Sequence, residues 1–149
     1  MKYYGICPAS CGEFVQGVMD RAEYLCSYAV DLYSTAEVEE KLNNINLGPL
    51  KSRKAIEAVF KKFNIPVEES KNISLKIRSK IPVGKGMASS TADIGATIGA
   101  TLGLIKKELS SEEIAKLAST IEPTDSIYIE KNSIFNPLNG EVIRYLGNV

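Results

Sequence analysis

Residues 77–96, "IRSKIPVGKGMASSTADIGA", constrain this chain more than any other stretch. A strand-like run breaks at Pro82, passes through Gly84 and Gly86, and enters Ala, Ser and Thr with scarcely a bulky side chain. Residues 88–106 then read as a helix carrying a stripe of Ala92, Gly95, Ala96, Gly99 and Gly103. Each glycine inside a helix costs about 1 kcal/mol relative to alanine. A helix that keeps several of them must lie very close to another element.

The head of this helix has chemistry of its own. Its first N–H groups have no intrahelical partners and carry the positive end of the helix dipole. Glycines before it remove the side chains that would hold a ligand off. The hydroxyls of Ser89, Ser90 and Thr91 can donate to a phosphate or bind Mg²⁺. Known phosphate loops match poorly. A Walker A loop needs G-x-x-x-x-G-K-[ST], whereas Lys85 lies between the glycines, and G-x-G-x-x-G fails at Ser89 with no parallel βαβ pattern around it. From the residues alone, two readings stand: a phosphate seat, or a glycine-containing turn leading into a small-residue helix.

Elsewhere the chain alternates strand and helix signals. "KYYGIC" and "EFVQGV" read as short strands separated by a "PASCG" loop, and "EYLCSYAVDLYSTAEVEE" reads as two more strands around Asp31. Between Pro49 and Pro66, Ile56, Val59, Phe60 and Phe63 recur at helical spacing, with Lys51, Arg53, Lys54, Lys61 and Lys62 forming a solvated face. "NISLKIRS" alternates as a half-buried strand. Ser110 and Glu113 form a capping box opening a helix through Ile121. "EPTDS" interrupts, "IYIEKN" reads as a strand, "NPLNG" as a turn and "EVIRYLG" as a last strand. No internal repeat or interdomain linker is visible.

Composition narrows the chemistry. The 149 residues suit a single domain with a sizeable core. Eighteen basic residues balance 18 acidic ones, so no global field points to nucleic acid or an anionic membrane. There is no histidine, which removes the commonest general base and the usual zinc ligand. Proton chemistry falls to carboxylates, Lys, Tyr or Cys. The three cysteines, Cys7, Cys11 and Cys26, follow a start without an apolar leader, which leads us to expect free thiols and a cytoplasmic setting. Cys7-x-x-x-Cys11 fits neither a zinc site nor a redox pair, and small buried thiols are the expectation.

"PVGKGMASSTADIGA" resembles the second motif of the GHMP kinases, written P-x-x-x-G-L-G-S-S-A-A. Pro82, Gly86, Ser89, Ser90 and Ala92 fall in register, while Met87, Ala88 and Thr91 depart from the general form. "KGMASSTAD" resembles the branch that phosphorylates L-threonine for cobalamin synthesis. "CPASCGEFVQG" (7–17) and "EPTDS" (122–126) resemble that branch's N-terminal and acidic motifs, in the expected order. The resemblance implies an α+β fold of the ribosomal protein S5 domain 2-like type. An antiparallel or mixed sheet would pack against helices, with a βαβ crossover of the uncommon left hand.

It also implies the roles. Pro82, Gly84, Lys85, Gly86, Met87, Ala88, Ser89, Ser90 and Thr91 would bind ATP, with Lys85 either a point charge on phosphate or a solvated side chain. Ser90 and Glu122 would hold Mg²⁺, and Asp125 would receive or orient the acceptor's hydroxyl proton. The plain alternative makes Asp125 a turn cap and Glu122 surface charge. Ser10, Gly12, Glu13 and Gln16 would line the acceptor pocket, Glu13 pairing with an amino group, or else belong to a hairpin whose Glu and Gln face water. Residues 1–149 would form the N-terminal, ATP-binding domain, with no counterpart of the glycine-rich third motif and hence no C-terminal domain. An apolar face left open by that absence would favour a homodimer. The function implied is transfer of the ATP γ-phosphate to L-threonine. The alternatives are a GHMP kinase for another small alcohol such as homoserine, a truncated nucleotide-binding domain without catalysis, and an S5-like RNA-binding module. The neutral charge weighs against the last.

Overall fold

The computed structural model describes residues 1–19, 22–84, 88–124, 128 and 133–145; side chains are described at 1–10, 30–84, 88–124, 128 and 136–142. Two long strands, β1 (Lys2–Met19) and β2 (Ala22–Glu40), form an antiparallel ribbon. Helix α1 (Leu50–Lys62) and a 3₁₀ turn (Val67–Asn72) lead to β3 (Ile73–Ser79). Helices α2 (Ser89–Ile105) and α3 (Ser111–Ser119) follow, then β4 (Ser133–Phe135) and β5 (Val142–Tyr145). The sheet runs β1-β2-β4-β5, with β3 also beside β2 and every described pairing antiparallel. The fold is α+β.

Two expectations about the N-terminal third change. "PASCG" is not a loop between strands, and β2 does not break at Asp31. The ribbon runs through both, absorbing Pro8 and Gly12 by register shifts at Pro8/Ala9, Ser10/Glu13 and Glu13/Val15. Such bulges are where a strand accommodates a missing N–H or a missing side chain.

Helix α3 opens as the sequence indicates but ends at Ser119 rather than Ile121. Ser110 Oγ accepts from Glu113 N at 3.2 Å and the Glu113 carboxylate accepts from Ser110 N at 3.3 Å, so the capping box forms. "NPLNG" makes a turn, closed by Gly140 N donating to Asn136 O at 2.9 Å. Of "IYIEKN", Tyr128 does not lie in a strand, and the other five residues lie outside those described.

Helix α2 is the centre of the core. On one side Ala92, Ala96 and Ala100 meet Cys7, Ala9, Ala36, Val38 and Leu75 of the sheet. On the other, Ile94, Ile98 and Leu102 meet Ala55 and Val59 of α1 and Ala118 of α3. The small-residue stripe has the close neighbour it demands: a Cβ on Gly5 would sit 1.9 Å from Ala96 O and 2.5 Å from Ala100 N. Backbone rides on backbone there.

The basic face of α1 is a partial correction. Lys54, Lys61 and Lys62 are exposed, but Arg53 is buried. Its guanidinium donates to Ile73 O at 2.6 Å and to Ser70 O, tying α1 to the start of β3. Lys51 is also engaged, with Glu122.

Candidate functional site

The chain leaves β3 through a turn whose Pro82, Val83 and Gly84 are exposed. Gly84 takes φ +72°, and a Cβ added there would meet nothing within 4 Å. Among the described residues, nothing crowds the backbone at Gly84. Lys85, Gly86 and Met87 lie outside the described residues. Ala88 then precedes α2 in the left-handed region, φ 57° and ψ 41°, a costly conformation for a residue with a Cβ. Among the described residues, no side chain caps the start of α2. At the head of the helix Ser89 and Ser90 are half-buried and Thr91 is buried.

One turn further along, Asp93 shares the helix face of Ser89 and Ser90, at spacings of four and three residues. Ser34 of β2, fully buried, donates to Asp93 Oδ1 at 2.6 Å. Burial pushes the Asp93 carboxyl above its ordinary range, the Ser34 hydrogen bond opposes this, and the charge of Glu122 raises it further. Glu122 and Asp93 are thus electrostatic neighbours, although 29 positions separate them. Burial, with the Asp93 charge added, pushes the Cys7 thiol up to about 12. Cys7 is a buried, inert thiol; the side chains of Cys11 and Cys26 lie outside those described.

The acidic segment leaves α3 with Glu122 N donating to Ala118 O at 3.3 Å. The Glu122 carboxylate, 13% exposed, pairs with Lys51 Nζ from the first turn of α1. Pro123 is exposed and Thr124 is buried, its N–H donating to Pro137 O at 3.0 Å. Thr124 Oγ1 has no hydrogen-bond partner among the described residues. Asp125 lies outside them. Tyr128 returns to α2, its hydroxyl donating to Thr91 O.

Of the residues marked from sequence, the fold gathers the head of α2 and Glu122 around Asp93. Ser10 is 1% exposed on β1, while Gly12, Glu13 and Gln16 follow on the same strand, with Glu13 opposite Ser27 and Gln16 opposite Leu25. The side chains of these last three lie outside the described set. The reading of the sequence missed Asp93, Ser34 and Lys51. Asp93 had a signal: it is the one acid in a helix of Ala, Gly, Ser, Thr, Ile and Leu. Ser34 and Lys51 had none, since their partners lie 59 and 71 positions away.

A five-stranded sheet thus covers α2, with Asp93 of that helix and Glu122 near one another. The family model for the GHMP kinases N terminal domain matches residues 51–129, and the chain belongs to that family. An L-threonine kinase of Salmonella typhimurium is 44% identical over 133 residues, covering 89% of this chain and 44% of that protein. One from Citrobacter freundii is 39% identical over 133 residues, covering 89% of this chain and 46% of that protein. A crystal structure of mevalonate kinase superposes with a TM-score of 0.69 at 27% identity, over 97% of this chain and 56% of that one. The chain spans less than half the length of the two L-threonine kinases. No helix among the described residues is long and apolar enough to cross a membrane.

Proposed function

We propose that this chain is the nucleotide-binding part of an ATP-dependent kinase that phosphorylates the hydroxyl of L-threonine, giving O-phospho-L-threonine for cobalamin synthesis in the cytoplasm. The observation that carries the reading is the head of α2, without a side-chain cap among the described residues and reached across the exposed Gly84 turn, with Asp93 and Glu122 beside its first turns. The 44% identity to an L-threonine kinase supports threonine as the acceptor. In this reading residues 82–91 cradle the triphosphate. The hard oxygen donors of Ser90 and Glu122 suit Mg²⁺, which takes few protein ligands alongside phosphate and water. Binding Mg²⁺ there would require Glu122 to exchange or share its Lys51 partner. Asp125 accepts the proton of the acceptor hydroxyl. As that oxygen bonds to the γ-phosphorus, the bond to the β,γ-bridging oxygen breaks and ADP leaves. Ser10, Gly12, Glu13 and Gln16 are proposed to contact the amino acid. Residues 1–149 act as the N-terminal domain, and the remaining length of the relatives would close the acceptor site.

The test is phosphoryl transfer by the natural-length protein, given ATP–Mg²⁺ and a panel of threonine, homoserine and serine, followed by ³¹P NMR. We expect transfer to threonine, and its loss in Ser90→Ala and Asp125→Asn with unchanged circular dichroism. Transfer to homoserine instead would move the acceptor to another small alcohol. ATP binding without transfer to any acceptor would make the chain a binding domain. Full turnover by either variant would remove the site assignment.

A further inference from the structure

Tyr128 packs between the head of α2 and α3, the helix that leads to Glu122. Its hydroxyl donates to Thr91 O in the helix's first turn. Its ring occupies room that only glycine leaves: a Cβ on Gly95 would lie 2.4 Å from Tyr128 Cε1 and 2.8 Å from Cys7 Sγ. The ring packs against all three apolar clusters, reaching Ala115 of α3 as well as the α2 core. Tyr128 therefore holds α2 at one end, while α3, carrying the segment that leads to Glu122, abuts its ring. Six positions separate it from Glu122 and three from Asp125.

We propose that Tyr128, seated by Gly95, is a positioning residue that holds α3, and with it Glu122, against the head of α2 and so sets the distance from the Glu122 carboxylate to the phosphate being transferred. This rests on the kinase reading above. A phosphoryl group must be aligned to within a fraction of an ångström, and a misplacement of about 1 Å costs on the order of a hundredfold in rate. Substrate binding by the loop need not change. The signature is therefore a loss in kcat without a matching rise in KM for ATP.

The experiment uses the natural-length protein and two variants. Tyr128→Phe keeps the ring and removes the donor; Gly95→Ala drives the ring from its seat. We expect kcat to fall about tenfold in Tyr128→Phe and about a hundredfold in Gly95→Ala, with KM for ATP within about twofold in both. Amide exchange at Glu122 and Thr124, whose N–H groups bond to Ala118 O and Pro137 O, should accelerate in both variants while α1 amides hold. If Gly95→Ala does not fold, Tyr128→Phe decides. Unchanged kcat in Tyr128→Phe, or unchanged exchange at 122 and 124, overturns the proposal, even if the melting temperature falls. If the unaltered protein transfers no phosphate, the kinase reading fails, and the exchange measurement still decides whether Tyr128 holds the segment.

Discussion

The two halves of α2 do opposite work. Its middle lies on β1 with almost no side chain between them, Gly5 facing Ala96 and Ala100, and a Cβ added at Gly99 would lie 3.6 Å from the Gly5 Cα. That contact leaves no room for a side-chain atom at Gly5. The head of the same helix is open and polar. It starts from a strained Ala88, has no side-chain cap among the described residues, and sets Asp93, bonded by Ser34, near Glu122, which pairs with Lys51. Stability that the middle supplies allows the head to carry a strained residue and repelling carboxylates. Strain and like charge persist where the surroundings hold them in place.

The largest expected effect attacks the close-packed half. Gly5→Ala places a Cβ 1.9 Å from backbone that cannot yield. It should cost about 3 kcal/mol or more, read as a lower urea midpoint. Gly84→Ala is the matching change in the open half. With nothing within 4 Å, only the positive φ opposes it, so it should cost about 1 kcal/mol. Equal losses at the two sites would erase the contrast between the halves.

A middle-sized effect concerns charge. The folded Asp93 carboxyl sits above its ordinary value of 3.8, chiefly through burial. The fold therefore binds that proton more tightly than the unfolded chain does. This contribution to stability is fully present below about pH 3.8 and is lost as pH rises through the higher folded value. Asp93→Asn keeps an acceptor for Ser34 and removes the charge beside Glu122. The variant should be more stable than the parent near neutrality, and its stability should depend less on pH across that window, by thermal melts at a series of pH values. A parent stability that rises with pH there, with no difference from the variant, would contradict the raised carboxyl.

Lys51→Met should cost about 1 kcal/mol or less, because Lys51 is 55% exposed and such pairs are well screened. A double-mutant cycle with Glu122→Gln measures the coupling, which should shrink in high salt. The smallest effect is at Cys7. A thiol pushed up to about 12 should resist alkylation at pH 8 in the folded protein and react on unfolding, read by peptide mass spectrometry. Rapid labelling of folded Cys7 would mean the sheet face of α2 opens.

Much of this was legible because it is local. The period of Ile56, Val59 and Phe60 gives α1, the alternation of Ile73 and Leu75 gives β3, and the Ser110–Glu113 box opens α3. Three ordered motifs pointed to the family that the comparison at residues 51–129 bears out. The continuity of β1 through "PASCG" was not legible, because β2 decides it by pairing across the bulges. Nor was the burial of Arg53, since the carbonyls that receive it belong to Ser70 and Ile73.

The sequence by itself determined a small-residue helix behind a glycine turn, and with it the need for a partner at backbone distance. Those are properties of side-chain size and local dihedral freedom, which any short window contains. Only the tertiary structure decided that Gly5 is that partner, that Ser34 reaches Asp93, and that Lys51 meets Glu122. Hydrogen bonds and charge interactions act across a few ångströms of space, and residues 59 or 71 positions apart acquire that proximity only when the sheet and helices close on one another.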